Sequence, residues 1–142
     1  MGSVFVGVDG SANGIAALKW AAHYAQSTDG IVHAVYVWSY PTASIVTAQL
    51  GSVMAPAELM ENAASEALAG FIAEAELPEG LHIVHIVREG SVSKVLLDQA
   101  EDAEILVVGA RGHGGFAGLR LGSVANAVIN HAPCPVAVIP AK

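Results

Sequence analysis

The segment ILVVGARGHGGFAGLRLGSVANAVIN, Ile105 to Asn130, gathers Gly109, Arg111, Gly112, His113, Arg120, Gly122 and Ser123 in one connector. It lies between an apolar strand-like run and a helix-like segment. The spacing is Gly109, two residues, Gly112, nine residues, then Gly122-Ser123. Glycines at these points leave the main chain open to close approach and permit positive φ, so that successive N–H groups can line one concavity. A helix starting at Gly122-Ser123 offers free N–H groups and the positive end of its dipole. Arg111, His113 and Arg120 bring donors or positive charge, and the Ser123 hydroxyl adds a hydrogen bond. Two of the six Lys and Arg residues of a chain with formal net charge −7 fall here. Together these features suit the holding of a polyanion, with phosphate the leading case. The competing reading is a flexible loop whose glycines serve turns. The segment lacks the Gly-Lys-Ser/Thr ending of a Walker A loop, and it does not follow the first strand as a dinucleotide fingerprint would.

Such a loop needs a scaffold that brings strand ends and helix starts to one edge. Five β-rich runs supply the strands: Ser3–Asp9, Ile31–Trp38, Leu81–Val87, Glu104–Ala110 and Cys134–Pro140. All but the third are apolar on both faces, as strands of a covered parallel sheet are. In the third, His82 and His85 break the pattern, which suits a position nearer an edge. Four helical patterns alternate with the runs. Ser11 caps a helix carrying Ile15, Leu18, Ala22 and Ala25; Pro56 opens one carrying Leu59, Ala63, Ala67, Phe71 and Ala75. Ser91 caps a third with Val92, Val95, Leu96 and Gln99, and Ser123 opens a fourth with Val124, Ala127, Val128 and His131. The segment Ser39–Glu58 fits neither period and is long for a connector, as lids and surface loops are. Alternation of this kind predicts an α/β fold: a parallel sheet with helices on both faces. Ligands of such sheets sit outside the carboxyl ends of the strands, which is where Gly109 emerges.

Composition narrows the function classes. At 142 residues, 54% hydrophobic and 13% charged, the chain is expected to form a single domain over 1–142 and not a disordered segment. No apolar stretch approaches the about 20 residues of a membrane span, and the opening MGSVFVGVDGS lacks a basic, then long apolar, leader. A net charge of −7 argues against nucleic acid as a partner. The expectation is a soluble, cytoplasmic protein. Cys134 is alone, so there is no disulfide framework; flanked by prolines, it reads as a small packing residue. His23, His33, His82 and His85 form no metal-ligand spacing with carboxylates and read as structural. His131 suits the negative end of the last helix. Asp9, before Gly10-Ser11, reads equally as a turn or cap residue and as a hydrogen-bonding residue of the crevice. Trp20 and Trp38 read as packing residues, Trp38 close to the crevice.

The whole chain resembles the universal stress protein family, on its glycine motif, its opening VGVDGS and its closing HAPCPVAVIP. The ATP-binding branch of that family carries Gly-x2-Gly-x9-Gly-(Ser/Thr), met here without a gap at Gly109, Gly112, Gly122 and Ser123. The resemblance implies a Rossmann-like three-layer sandwich with a five-stranded parallel sheet of order 3-2-1-4-5 and about four helices. It implies ATP beside Gly7, Val8 and Asp9, with Val37 against the adenine and Val108 and Gly109 on the ribose side. Arg111, Gly112, Gly122, Ser123 and Val124 would surround the triphosphate, with Arg120 of the same loop. Mg²⁺ or Mn²⁺ would be held through the phosphates, with no metal ligands of the protein's own. A homodimer through the last strand, Pro135–Ile139, is implied too. The chain departs from the family at Asn126, where a Ser or Thr hydroxyl is common.

The function expected is therefore a nucleotide-binding regulatory module of the stress response. Bound ATP would order the glycine loop and segment 39–57 for an unknown protein partner. A slow ATPase or nucleotidyl-transfer enzyme is the second reading. The loop has no lysine and only Asp9 and His113 as candidate water-orienting groups, so at most weak hydrolysis is expected. Binding of AMP or cyclic AMP is a third, and a ligand-free interaction module a fourth.

Overall fold

The computed structural model describes residues 2–113 and 121–141. Five strands, β1 (Ser3–Gly7), β2 (Ile31–Trp38), β3 (Ile83–Glu89), β4 (Ile105–Gly109) and β5 (Val136–Ile139), pair in parallel in the order β3-β2-β1-β4-β5. The central strands carry the runs apolar on both faces: Val4, Phe5 and Val6 of β1 and Ile105 to Val108 of β4 are all buried. The expected order is the observed one, with β3, the run broken by His82 and His85, at an edge.

Two layers of helix cover the sheet. Helices α1 (Ala12–Thr28) and α3 (Ala57–Glu74) close one face, around Leu18, Val4, Val6, Val32 and Leu68. Helices α4 (Val92–Gln99) and α5 (Ser123–His131) close the other, around Leu96, Leu106, Val35 and Val128. A short 3₁₀ turn, Ala100–Asp102, leads from α4 towards β4. Ser11 caps α1 as its sequence position suggests: its Oγ accepts the Gly14 N–H at 3.1 Å.

Three expectations are corrected. Segment 39–58 is not wholly irregular: Thr42–Gln49 forms a further helix, α2, making five α-helices among the described residues where about four were expected. No residue of α2 is buried, so no apolar face had to be written into its sequence. The buried face of α3 keeps the expected Phe71 and Ala75 but otherwise runs one position later, through Ala64 and Leu68 with Met60 beside them, while Leu59 is exposed. An alanine-rich helix offers two nearly equal apolar stripes, and the larger Leu68 decides between them. Finally, β5 is half-buried along its whole length instead of fully covered, because it lies at the sheet's second edge.

Candidate functional site

Sheet order reverses between β1 and β4: the chain leaves β1 towards β2 and β3, then returns to β4 on the other side. Outside the carboxyl ends of these two strands lies a cavity of about 410 Å³. That volume falls in the range of small-molecule sites. Its lining includes Gly7, Val8 and Asp9 after β1, Val108 and Gly109 of β4, and Arg111 and Gly112 beyond it. Gly122, Ser123 and Val124 at the start of α5 line it as well.

Local hydrogen bonds fix this edge. Asp9 Oδ1 accepts the Ser11 N–H at 3.0 Å and the Ser11 hydroxyl at 2.5 Å, so the carboxylate closes the turn that caps α1. The other oxygen, Oδ2, faces Gly112: a β-carbon built there would sit 2.5 Å from it. Asp9 thus holds its turn with one oxygen and turns the other towards the glycine loop. The His113 Nε2–H donates to the Asp9 carbonyl at 2.8 Å, tying the connector after β4 to the one after β1. Gly122 N–H donates to the Ala110 carbonyl at 2.7 Å, which brings the start of α5 back onto the end of β4. Gly122, the N-cap of α5, has no side chain to cap the helix, so its first N–H groups and dipole end are left to the cavity that Ser123, Val124 and Ala125 line. Arg111, Gly112, His113 and Ser123 are exposed. The arrangement gives an anion main-chain donors, a guanidinium and a hydroxyl within one concavity.

The glycines act differently from the expectation. None of Gly109, Gly112 and Gly122 has positive φ; among the described glycines that conformation occurs at Gly10, Gly51, Gly80 and Gly90. What Gly109 provides is close packing. A β-carbon there would lie 2.8 Å from the carbonyl carbon and the Cβ of Asn13, so α1 rests directly on the end of β4. Asn13 Oδ1 in turn accepts the Ala141 N–H at 2.9 Å and ties down the chain after β5.

One expected residue falls elsewhere. Val37, at the end of β2, is outside this cavity's lining; it packs against the α4–α5 core and lines a separate groove of about 350 Å³ with Trp38 and Met60. The Trp38 indole N–H donates to Glu61 Oε2 at 2.6 Å in that region, as suits a packing residue. Arg120 lies outside the described residues. Spacing alone missed Val92 and Leu96 of α4, which line the cavity beside Val108. Topology held the signal: a crossover from edge strand β3 to β4 must pass over β2 and β1, laying α4 across the crevice. Gly7 makes room for it, since a β-carbon there would lie 2.9 Å from Leu96 Cδ1.

Away from the site, burial, with a smaller push from nearby His82, holds the His33 imidazole below its usual range, and the ring stacks on Phe5 at 4.3 Å between centroids. Burial raises the Cys134 thiol, partly offset by a backbone hydrogen bond at Leu106, so little thiolate is available at neutral pH. Among the described residues no helix is long and apolar enough to cross a membrane, and no three His, Cys, Asp or Glu residues group as metal ligands.

A family model described as the universal stress protein family matches residues 1–140. A universal stress protein of Methanocaldococcus jannaschii is 33% identical over 138 residues, covering 96% of this chain and 80% of its own length. Another, of Mycolicibacterium smegmatis, is 30% identical over 141 residues, 96% of this chain and 47% of the relative. The chain spans about half the length of the first curated relatives it matches. In structure, the universal stress protein UspA of Lactobacillus plantarum superposes with a TM-score of 0.67 at 24% identity, over 97% of both chains, a likeness of fold.

Proposed function

The chain belongs to the universal stress protein family, and from that membership and the crevice cavity we propose that it is an ATP-binding regulatory protein of the stress response. One observation carries the reading: an uncapped helix start, Arg111 and close-packed glycine main chain converge on a single cavity of about 410 Å³. The ligands of other proteins with this fold lend support, with cyclic AMP, dAMP and AMP bound in three of them.

In this proposal the phosphates meet the N–H groups and hydroxyl at Gly122, Ser123 and Val124, the main chain at Gly112 and the Arg111 guanidinium, with Arg120 contributing from the same loop. Gly7, Val8, Val108 and Gly109 border the ribose, and the Asp9 oxygen not used by Ser11 accepts from a ribose hydroxyl. Val37 would approach the adenine from beyond the cavity's present rim. A cation, Mg²⁺ or Mn²⁺, suits the site as a passenger on the phosphate oxygens: Ser123 offers a hydroxyl beside them, whereas Asn126 offers only an amide. The ion would neutralise phosphate charge. The whole of 1–142 acts as one nucleotide-binding unit, dimeric through β5, and nucleotide orders the glycine loop and segment 39–57 for a protein partner. Hydrolysis is at most slow, for want of a lysine and of a dedicated base on the terminal phosphates.

Calorimetric titration with ATP tests the proposal. The wild type should bind, and Gly122→Val, whose side chain would crowd Arg111 Cα from 3.3 Å, should lose at least about tenfold in affinity while melting within a few degrees of wild type. A wild type that takes up no ATP at millimolar concentration overturns the proposal. A second reading, preference for AMP or cyclic AMP, is favoured by the monophosphate ligands of the three proteins above. Titrations with all three nucleotides separate the two.

A further inference from the structure

The cavity has two chemical natures. Its polar groups cluster around Gly112: Asp9 Oδ2 faces that glycine, Gly122 lies against Arg111 Cα and the Gly112 nitrogen, and His113 is bound to the Asp9 carbonyl. Its other wall is aliphatic, made by Val92 and Leu96 one turn apart on α4, with Val108 and Val124. The two α4 residues differ in freedom. Leu96 is 1% exposed, wedged against Gly7 and fixed in the core, whereas Val92, on the first turn of the helix, is 38% exposed. Val92 therefore adds partly exposed aliphatic surface to the cavity's lining.

We propose that Val92, backed by Leu96, is the surface on which the nucleoside end of the ligand seats, making the site selective for nucleotides over bare polyphosphates. The inference rests on the nucleotide reading and deepens it. A polyanion alone needs only the donors around Gly112. A nucleoside adds a flat ring whose faces are poorly hydrated, and covering aliphatic surface with such a ring gains free energy in proportion to the area removed from water. The polar cluster cannot supply that gain; the α4 wall can. Val92 acts by contact alone and so determines selectivity without touching the phosphates.

The test compares ATP with inorganic tripolyphosphate on wild type, Val92→Asn and Val92→Leu, with melting temperatures checking the fold. Asn is neutral and leaves the charge beside the tail unchanged. Val92→Asn should weaken ATP by about five- to tenfold, as expected for losing contact with two methyl groups, and leave tripolyphosphate affinity unchanged. Val92→Leu, which keeps an aliphatic wall, should recover most of that loss. Unchanged ATP affinity in Val92→Asn, with wild type still binding ATP, overturns the α4 wall and spares the nucleotide reading. Equal losses for ATP and tripolyphosphate overturn it too. Wild type that binds tripolyphosphate but no ATP better than the bare anion refutes the wall and the nucleotide reading together.

Discussion

A methyl group added at Gly109 and one added at Gly112 meet different neighbours, and the difference separates a folding role from a binding role. At Gly109 it meets main chain and the atom fixed to it: the Asn13 carbonyl carbon at 2.8 Å and oxygen at 2.9 Å, and Cβ at 2.8 Å. A helix backbone cannot yield locally, so α1 must lift from β4. Gly109→Ala should cost about 1–3 kcal/mol of stability, as overpacked sites do, in protein that has never seen ligand. At Gly112 the methyl meets only the tip of a side chain, Asp9 Oδ2. Asp9 can swing away, at the expense of its hydrogen bonds to Ser11, so Gly112→Ala should cost less stability than Gly109→Ala yet weaken ATP binding by displacing the carboxylate. Removing the obstacle should remove the clash: Gly112→Ala placed on Asp9→Ala should cost almost nothing further, a coupling that urea denaturation of the four proteins of the cycle measures. Additive losses would show that the two residues do not touch. The glycine spacing was legible from the sequence, but its physical reason was not. A glycine vacated for a ligand and one vacated for a neighbouring helix look alike until α1 is laid on β4, and none of the three motif glycines in the described residues uses the positive φ that spacing suggested.

Elements were legible where burial is two-sided. Runs such as Val4–Val6 and Ile105–Val108 are apolar at every position because helices lie on both faces, and that alone points to the interior of a parallel sheet. Legibility fails where burial asks little of the sequence. Helix α2 has no buried residue and left no periodic trace; the alanines of α3 could face inwards on either of two stripes; β5 carries the residues of a central strand at an edge. The histidines of the β2–β3 pair show what an edge adds. His33 stacks on the Phe5 ring, with His82 near, and burial then charge keep its folded pKa below the usual value. The unfolded chain therefore takes up this proton first as pH falls. The contribution is fully present above the unfolded value of about 6.5 and is lost as pH drops towards and through the folded one. Wild type should lose more stability than His33→Leu between about pH 7.5 and about pH 5, read as the shift of urea midpoint in each protein. Parallel losses in the two would place the pH sensitivity in other groups, such as the carboxylates.

At the scale of the whole molecule, the same sheet that seats the crevice ends in an open edge. Leu106 N–H donates to the Pro135 carbonyl and Ala110 N–H to the Ile139 carbonyl. Main-chain groups alternate along a strand, so those of Val136 and Val138 point away from β4, on an apolar strand that is half-buried throughout. Unpaired edges of this kind favour a second strand, and the proposed homodimer supplies one from another copy. Electrostatics opposes it: each chain carries −7, so two copies repel until salt screens them. Sedimentation velocity should accordingly find a dimer whose association strengthens as salt is raised from low to physiological concentration. Val138→Pro removes an outward N–H while leaving the bonds to β4 in place, and should shift the protein to monomer with its ATP affinity unchanged, because the crevice lies between β1 and β4 and not at this edge. A Val138→Pro protein that stays dimeric would move the interface away from β5. One that becomes monomeric and also loses ATP would mean that the crevice depends on the second copy, a coupling between assembly and ligand that one chain's geometry does not require.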